Sequence, residues 1–248
     1  MWHYMKFELK NTIGYSIAMI VGGLLPIILV IGNYHDTSNV MANQALAKSL
    51  FSTLLPMISL GLVILPFTIA FGRDVSDGVT MRLVLFGYTM TKQLIAKFVS
   101  VLILVILTTT IYCVVLTYVL PLPSLSAISL INIYLSVMML SAALFLLSFS
   151  IAQVFQGFNM IQGIAMLFYF GIAFLTGSMG SFDLPSTVTK VTDWIPFKVI
   201  RETLTTHWQT STLLDFKDEL FKLVVFLIVT AILFVVTKSY RQFKTCAV

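Results

Sequence analysis

Few residues in this 248-residue chain are placed for bond-making chemistry. Its three histidines, His3, His35 and His207, have no cysteine or carboxylate at a spacing that would build a zinc site. Cys113 lies in an apolar run and Cys246 in the C-terminal tail, so the two form no disulfide framework and read as inert thiols. No charged side chain falls at the centre of a long apolar run, which argues against a proton relay or an intramembrane protease. No G-x-x-x-x-G-K-[ST] segment is present to cradle a phosphate. No catalytic or metal-binding residue is therefore expected.

The chain's densest short charge cluster lies at 72–98, GRDVSDGVTMRLVLFGYTMTKQLIAKF, between two apolar runs. It contains Arg73, Asp74, Asp77, Arg82, Lys92 and Lys97, and it suits contact better than catalysis. Asp77 is placed to cap a short helix starting at Gly78, along which Val79, Leu83 and Phe86 recur at helical spacing. Arg82 lies off that stripe, Gly87 is a natural stop, and Thr89 or Thr91 can cap the next helix through Lys97. From the residues alone, a loop on the inner leaflet and a docking element for a soluble partner are equal readings. A second polar set, Thr108, Ser141, Gln153, Gln156 and Asn159, lies in or beside apolar runs and is the candidate lining of a substrate path. The competing reading, helix–helix hydrogen bonding, is the commoner fate of such residues.

These residues must be held by membrane-spanning helices. The chain is 58% hydrophobic and only 10% charged, against about 25% charged in a soluble domain, so lipid is its main solvent. Six runs are long enough to cross a bilayer: 13–31, 50–71, 98–120, 127–152, 160–177 and 220–237. Pro26, Pro56 and Pro66 inside the runs imply kinks. The expected fold is an all-α membrane protein of one domain. Residues 1–12 form an interfacial helix, with Trp2, Met5 and Leu9 on one face and Lys6 and Lys10 on another.

Six spans put both termini on one side. That side carries nine bases and three acids, the other six and seven, so the positive-inside rule makes the first side cytoplasmic in a plasma-membrane protein. Residues 72–97 are then a cytoplasmic loop. Residues 178–219 form a long outer segment with Trp194 and Trp208, closing on an amphipathic piece in which Leu213, Phe216, Leu220 and Leu223 share a face. It reads as an interfacial or re-entrant lid or as an outer gate. The net charge of +5 reflects orientation, since no basic face or arm exists for nucleic acid.

The arrangement resembles the permease subunit of an ABC transporter of the type-2 exporter family. Asp77-Gly78 is similar to the acid-glycine step of that family's first cytoplasmic loop, and Leu83 falls at its leucine. Lys97 is in register with the Gly-Lys that opens span three. Val79 stands where threonine is usual, Gly87 where proline is, and Ala96 where glycine is. The prolines of LPSTVTKVTDWIP are similar to the family's outer segment.

The resemblance implies that the short helix is a coupling helix docking on a separate ATP-binding subunit, with Asp77, Gly78, Val79, Arg82, Leu83, Phe86 and Lys97 at or beside the contact. It implies ATP and Mg²⁺ held by that partner, none in this chain, and a second permease, self or paralogue. The uncharged runs favour a hydrophobic or amphipathic cargo such as a peptide, toxin or antimicrobial. The alternatives are export of a lipid-linked glycan, or a six-span protein that is not a transporter.

Overall fold

The computed structural model describes residues 2–14, 19–36, 38–155, 157–178, 192–209 and 217–246. Every regular element among them is helical. Helix α1 is Trp2–Gly14; a π-helical turn, Met19–Leu24, leads into α2, Leu25–Asn33. Helix α3 (Val40–Ser59) continues through a second π-helical turn (Leu60–Ile64) into α4 (Leu65–Ser76). Short α5 (Val79–Leu85) is followed by α6 (Met90–Val119), α7 (Ala127–Val154), α8 (Phe158–Leu175), α9 (Pro196–Thr206) and α10 (Lys217–Cys246).

Five helical stretches among the described residues are long and apolar enough to cross a membrane: Val40–Ser76, Met90–Val119, Ala127–Val154, Phe158–Leu175 and Leu220–Ser239. The chain is a multi-helix membrane protein on this ground. Ile20–Asn33 is apolar but shorter, and residues 15–18 of the expected first span lie outside the described residues. The second span is longer than the apolar run at 50–71, because Asn39 caps α3 from Met41 N (3.0 Å) and Ala42 N (3.4 Å) and carries the helix through polar residues. Ser126 likewise opens α7 by accepting from Ser129 N at 3.0 Å. Of the long outer segment, residues 179–191 and 210–216 lie outside the described residues. Residues 196–206 are helical, and the amphipathic piece from Lys217 onward is the first turn of α10 itself.

The stretch Val40–Ser76 is the axis of the bundle, 89% buried over its apolar window, whereas the windows of α8 and α10 are 22% and 17% buried. α7 packs along α10 and against α3, α4 and α6; α8 packs on α4; α1 lies on α6; α9 covers α3. Pro66 sits in the first turn of α4, directly after one π-helical turn, and Pro26 in the first turn of α2 after the other. Proline removes a donor and crowds the preceding turn, and a widened π turn accommodates both effects without breaking the rod. The two π turns pack on one another. A Cβ built on Gly61 would stand 2.6 Å from Gly22 Cα, so only hydrogen fits at that crossing.

Candidate functional site

α5 stands at the end of the bundle where α4 stops and α6 begins. Gly78 (φ 69°) and Gly87 (φ 85°) bracket it, each in the left-handed region that a side chain disfavours. Its C-terminus closes as a Schellman motif: Gly87 N donates to Val84 O at 2.9 Å and Tyr88 N to Leu83 O at 3.0 Å.

The expected Asp77 cap is not formed. Gly78 occupies the cap position, and the Asp77 carboxylate turns back to Arg73 (3.5 Å) and Ser76 (3.5 Å). Asp77 N still donates to Arg73 O at 2.8 Å, so Asp77 finishes α4 instead of starting α5. The Arg73–Asp77 pair is exposed and is worth about 0–1 kcal/mol. Arg82 is exposed, its guanidinium donating to Asp77 O at 3.2 Å.

Val79, Leu83 and Phe86 do not form one exposed stripe. Val79 and Leu83, one turn apart, are half-buried, while Phe86 lies past the last helical residue and is 79% exposed. The outward apolar face is Met81 (64% exposed) and Leu85 (86%), again one turn apart, extended by Phe86. The spacing rule found two faces of one short helix, and only burial distinguishes them.

Two contacts hold α5 and the turn after it against the bundle, and a buried ion triad lies beneath them. Gln93, 1% exposed in the first turn of α6, donates to Thr80 O (3.1 Å) and Tyr88 O (2.8 Å), holding both ends of α5. Tyr88 stacks on Tyr4 of α1 with centroids 4.8 Å apart. Below them Lys97 Nζ donates to Glu8 Oε2 at 3.1 Å and to Asp74 Oδ2 at 2.8 Å. The Lys97 and Glu8 side chains are 8% and 4% exposed. Tyr4 donates its hydroxyl to Glu8 Oε1 at 2.5 Å, so each oxygen of that carboxylate has a donor. Burial first, then the Glu8 carboxylate, pushes the Tyr4 hydroxyl well above its ordinary value, so it remains a donor. One ammonium thus joins α1, the end of α4 and the start of α6. Nothing in the spacing of Glu8, Asp74 and Lys97 announced this triad; the signal available was a lone acid among the bases of MKFELK.

Four of the five candidate path residues lie among the described residues. Ser141 donates to Ser59 Oγ at 2.9 Å, and Ser59 donates to Val137 O at 3.4 Å, which clamps α3 to α7. Thr108 is buried beside the first π turn, and its hydroxyl finds no partner among the described residues. The hydroxyls of Ser100, Thr109 and Ser148 share that condition. Gln153 is half-buried, Asn159 is exposed, and Gln156 lies outside the described residues. His3, His35 and His207 are exposed, and Cys113 is a buried free thiol. No protein-family model matches the chain, and no curated protein matches it by sequence.

Proposed function

We propose that this chain is the membrane-spanning subunit of an ATP-driven exporter of the ABC type-2 kind, with α5 as the helix that receives a separate ATP-binding subunit. The observation that carries the reading is α5 itself. It is a short helix with an apolar face of Met81, Leu85 and Phe86 turned away from the bundle, yet tied by Gln93 to α6 and by Tyr88, just past its end, to α1. An exposed loop serving only as a link needs neither the outward apolar face nor the buried anchorage. A docking element needs both, because a push on its face must reach α4 and α6 before it dissipates.

In this reading six spans place both termini in the cytoplasm, Ile20–Asn33 completing the first of them, and the cargo is hydrophobic or amphipathic. The lightly buried faces of α8 and α10 are available to lipid and to a second permease, identical or paralogous.

Alanine at Leu85 or Phe86 is expected to reduce co-purification of the ATP-binding subunit by about tenfold or more. Truncating a large anchor at the centre of an interface typically costs ~2 kcal/mol or more. Both side chains are exposed, so expression and thermal stability should remain near wild type. Val79→Ala, on the inward face, should lower stability without a specific effect on the partner. Assembly and transport at wild-type levels by both outward variants would refute the docking role.

Orientation has its own check. Single cysteines replacing Leu85 and Glu202, in a chain with Cys113 and Cys246 changed to alanine, should label from opposite sides of the membrane. Reaction of both from outside intact cells would overturn the topology.

A further inference from the structure

At the end of the bundle opposite α5, a cavity of about 490 Å³ opens between the first turns of α3, the turn linking α7 to α6, and the end of α9. Its volume falls within the roughly 300–1,000 Å³ of small-molecule sites. Gln44 and Lys48, one helical turn apart on α3, form one wall; Pro123, Thr206, His207, Trp208 and Gln209 form the rest. Those walls are tied together. The Trp208 indole N–H donates to Pro123 O at 3.1 Å, its ring meets Phe51 edge-on at 5.2 Å, and Gln209 reaches Ser124 O at 3.4 Å. Trp208 is itself 4% exposed, so the cavity is built on a packed floor.

The chemistry of the lining selects the ligand. Among the described residues no acid lines it, so a cation would find no counter-charge there. Lys48 is half-buried, and among the described residues it makes no ion pair. Gln44 and Gln209 add neutral donors. A single ammonium matches one negative charge and leaves a phosphate dianion uncompensated. A phospholipid would need an apolar slot for its chains, and apart from Pro123 and the Trp208 ring the lining is polar.

We propose that this cavity binds the carboxylate of a peptide or small organic acid, with Lys48 as the charge partner and Gln44 as a neutral donor one turn away. The site lies far from the α5 face, and the proposal stands whether or not an ATPase partners the chain.

Trp208 in the wall supplies the readout. The whole chain in phosphatidylcholine nanodiscs would be titrated with N-acetyl-trialanine as the free acid and as the amide. The acid is expected to change tryptophan emission saturably, and the amide to bind about tenfold or more weakly, since it lacks the charge-assisted bond. The acid's affinity should fall as salt rises. Lys48→Gln should weaken the acid by about tenfold, and Lys48→Arg should hold it within about threefold. Gln44→Ala, which keeps the charge, should weaken it less and serves if Lys48→Gln fails to fold. Equal binding of acid and amide, or unchanged binding in Lys48→Gln, overturns the proposal. So does a Lys48-dependent emission change produced by phosphatidylglycerol and not by the peptide acid, which would make the cavity a lipid-headgroup site.

Discussion

Lys97→Met should lower the stability of the isolated chain by about 3–5 kcal/mol, the usual cost of removing one partner from a buried ion pair. The substitution leaves two carboxylates, Glu8 and Asp74, facing a site with no cation, and Glu8 is almost fully enclosed. On the scaling for chains of this size the melting temperature should drop by roughly 6–20 °C. A merely bulky side chain at this position would be replaced by methionine at little cost, so the size of the drop separates the two roles. Neutralising all three positions together, Glu8→Gln, Asp74→Asn and Lys97→Met, should recover most of the loss, because desolvation of the charges is relieved along with their attraction. The neutral triple variant should nevertheless couple poorly in a transport or stimulated-hydrolysis assay, since the three helices are then held by weaker contacts. Wild-type melting of Lys97→Met would show that the triad is not structural.

Gly61→Ala is expected to be the most damaging single-methyl addition in the bundle. The new carbon would sit 2.6 Å from Gly22 Cα and 2.9 Å from Gly22 N, and backbone atoms do not swing aside as a side-chain end does. Overpacking of this kind costs about 1–3 kcal/mol, and more where the backbone is trapped. The reciprocal Gly22→Ala meets Leu62 N at 2.7 Å and should behave alike, whereas Gly163→Ala in α8 meets nothing within 4 Å. Helix propensity makes that last change stabilising by ~0.5–1 kcal/mol. Thermal unfolding of the three variants in one detergent gives the comparison. Equal melting of Gly61→Ala and Gly163→Ala would mean that the two π turns do not touch in the membrane.

The helices were legible in the sequence because apolar length is a local property, as in 98–120 and 127–152, which match α6 and α7 to within a turn except where α6 begins. Their polar extensions were not. α3 starts ten residues before its apolar run, since an Asn39 cap and tertiary packing sustain helix through VMANQALAKS. In the candidate site, Gly87 was readable as a stop because positive φ has a residue signature, whereas Gly78, expected to open the helix, sits before it in the same left-handed region. The outward face of α5 was misdrawn through Val79 and Leu83 because periodicity gives a helix's faces without saying which one the protein covers. The triad was invisible for a different reason. Glu8 and Lys97 are 89 residues apart, and no local pattern encodes a contact that only the assembled bundle creates. Ser141, a candidate for the path, is instead committed to Ser59 across two helices 82 residues apart.

That same 89-residue separation orders the birth of the molecule. At synthesis rates of roughly 5–20 residues per second, Glu8 exists for about 4–18 s before its lysine has been made. Asp74 arrives 23 residues ahead of that lysine, so for a time the nascent chain carries two acids and no cation to join them. Until residue 97 is made, Glu8 lacks the ammonium that ties α1 to α4 and α6. The ionic contact of the N-terminal helix can therefore form only after the chain has been made as far as the start of its third apolar stretch.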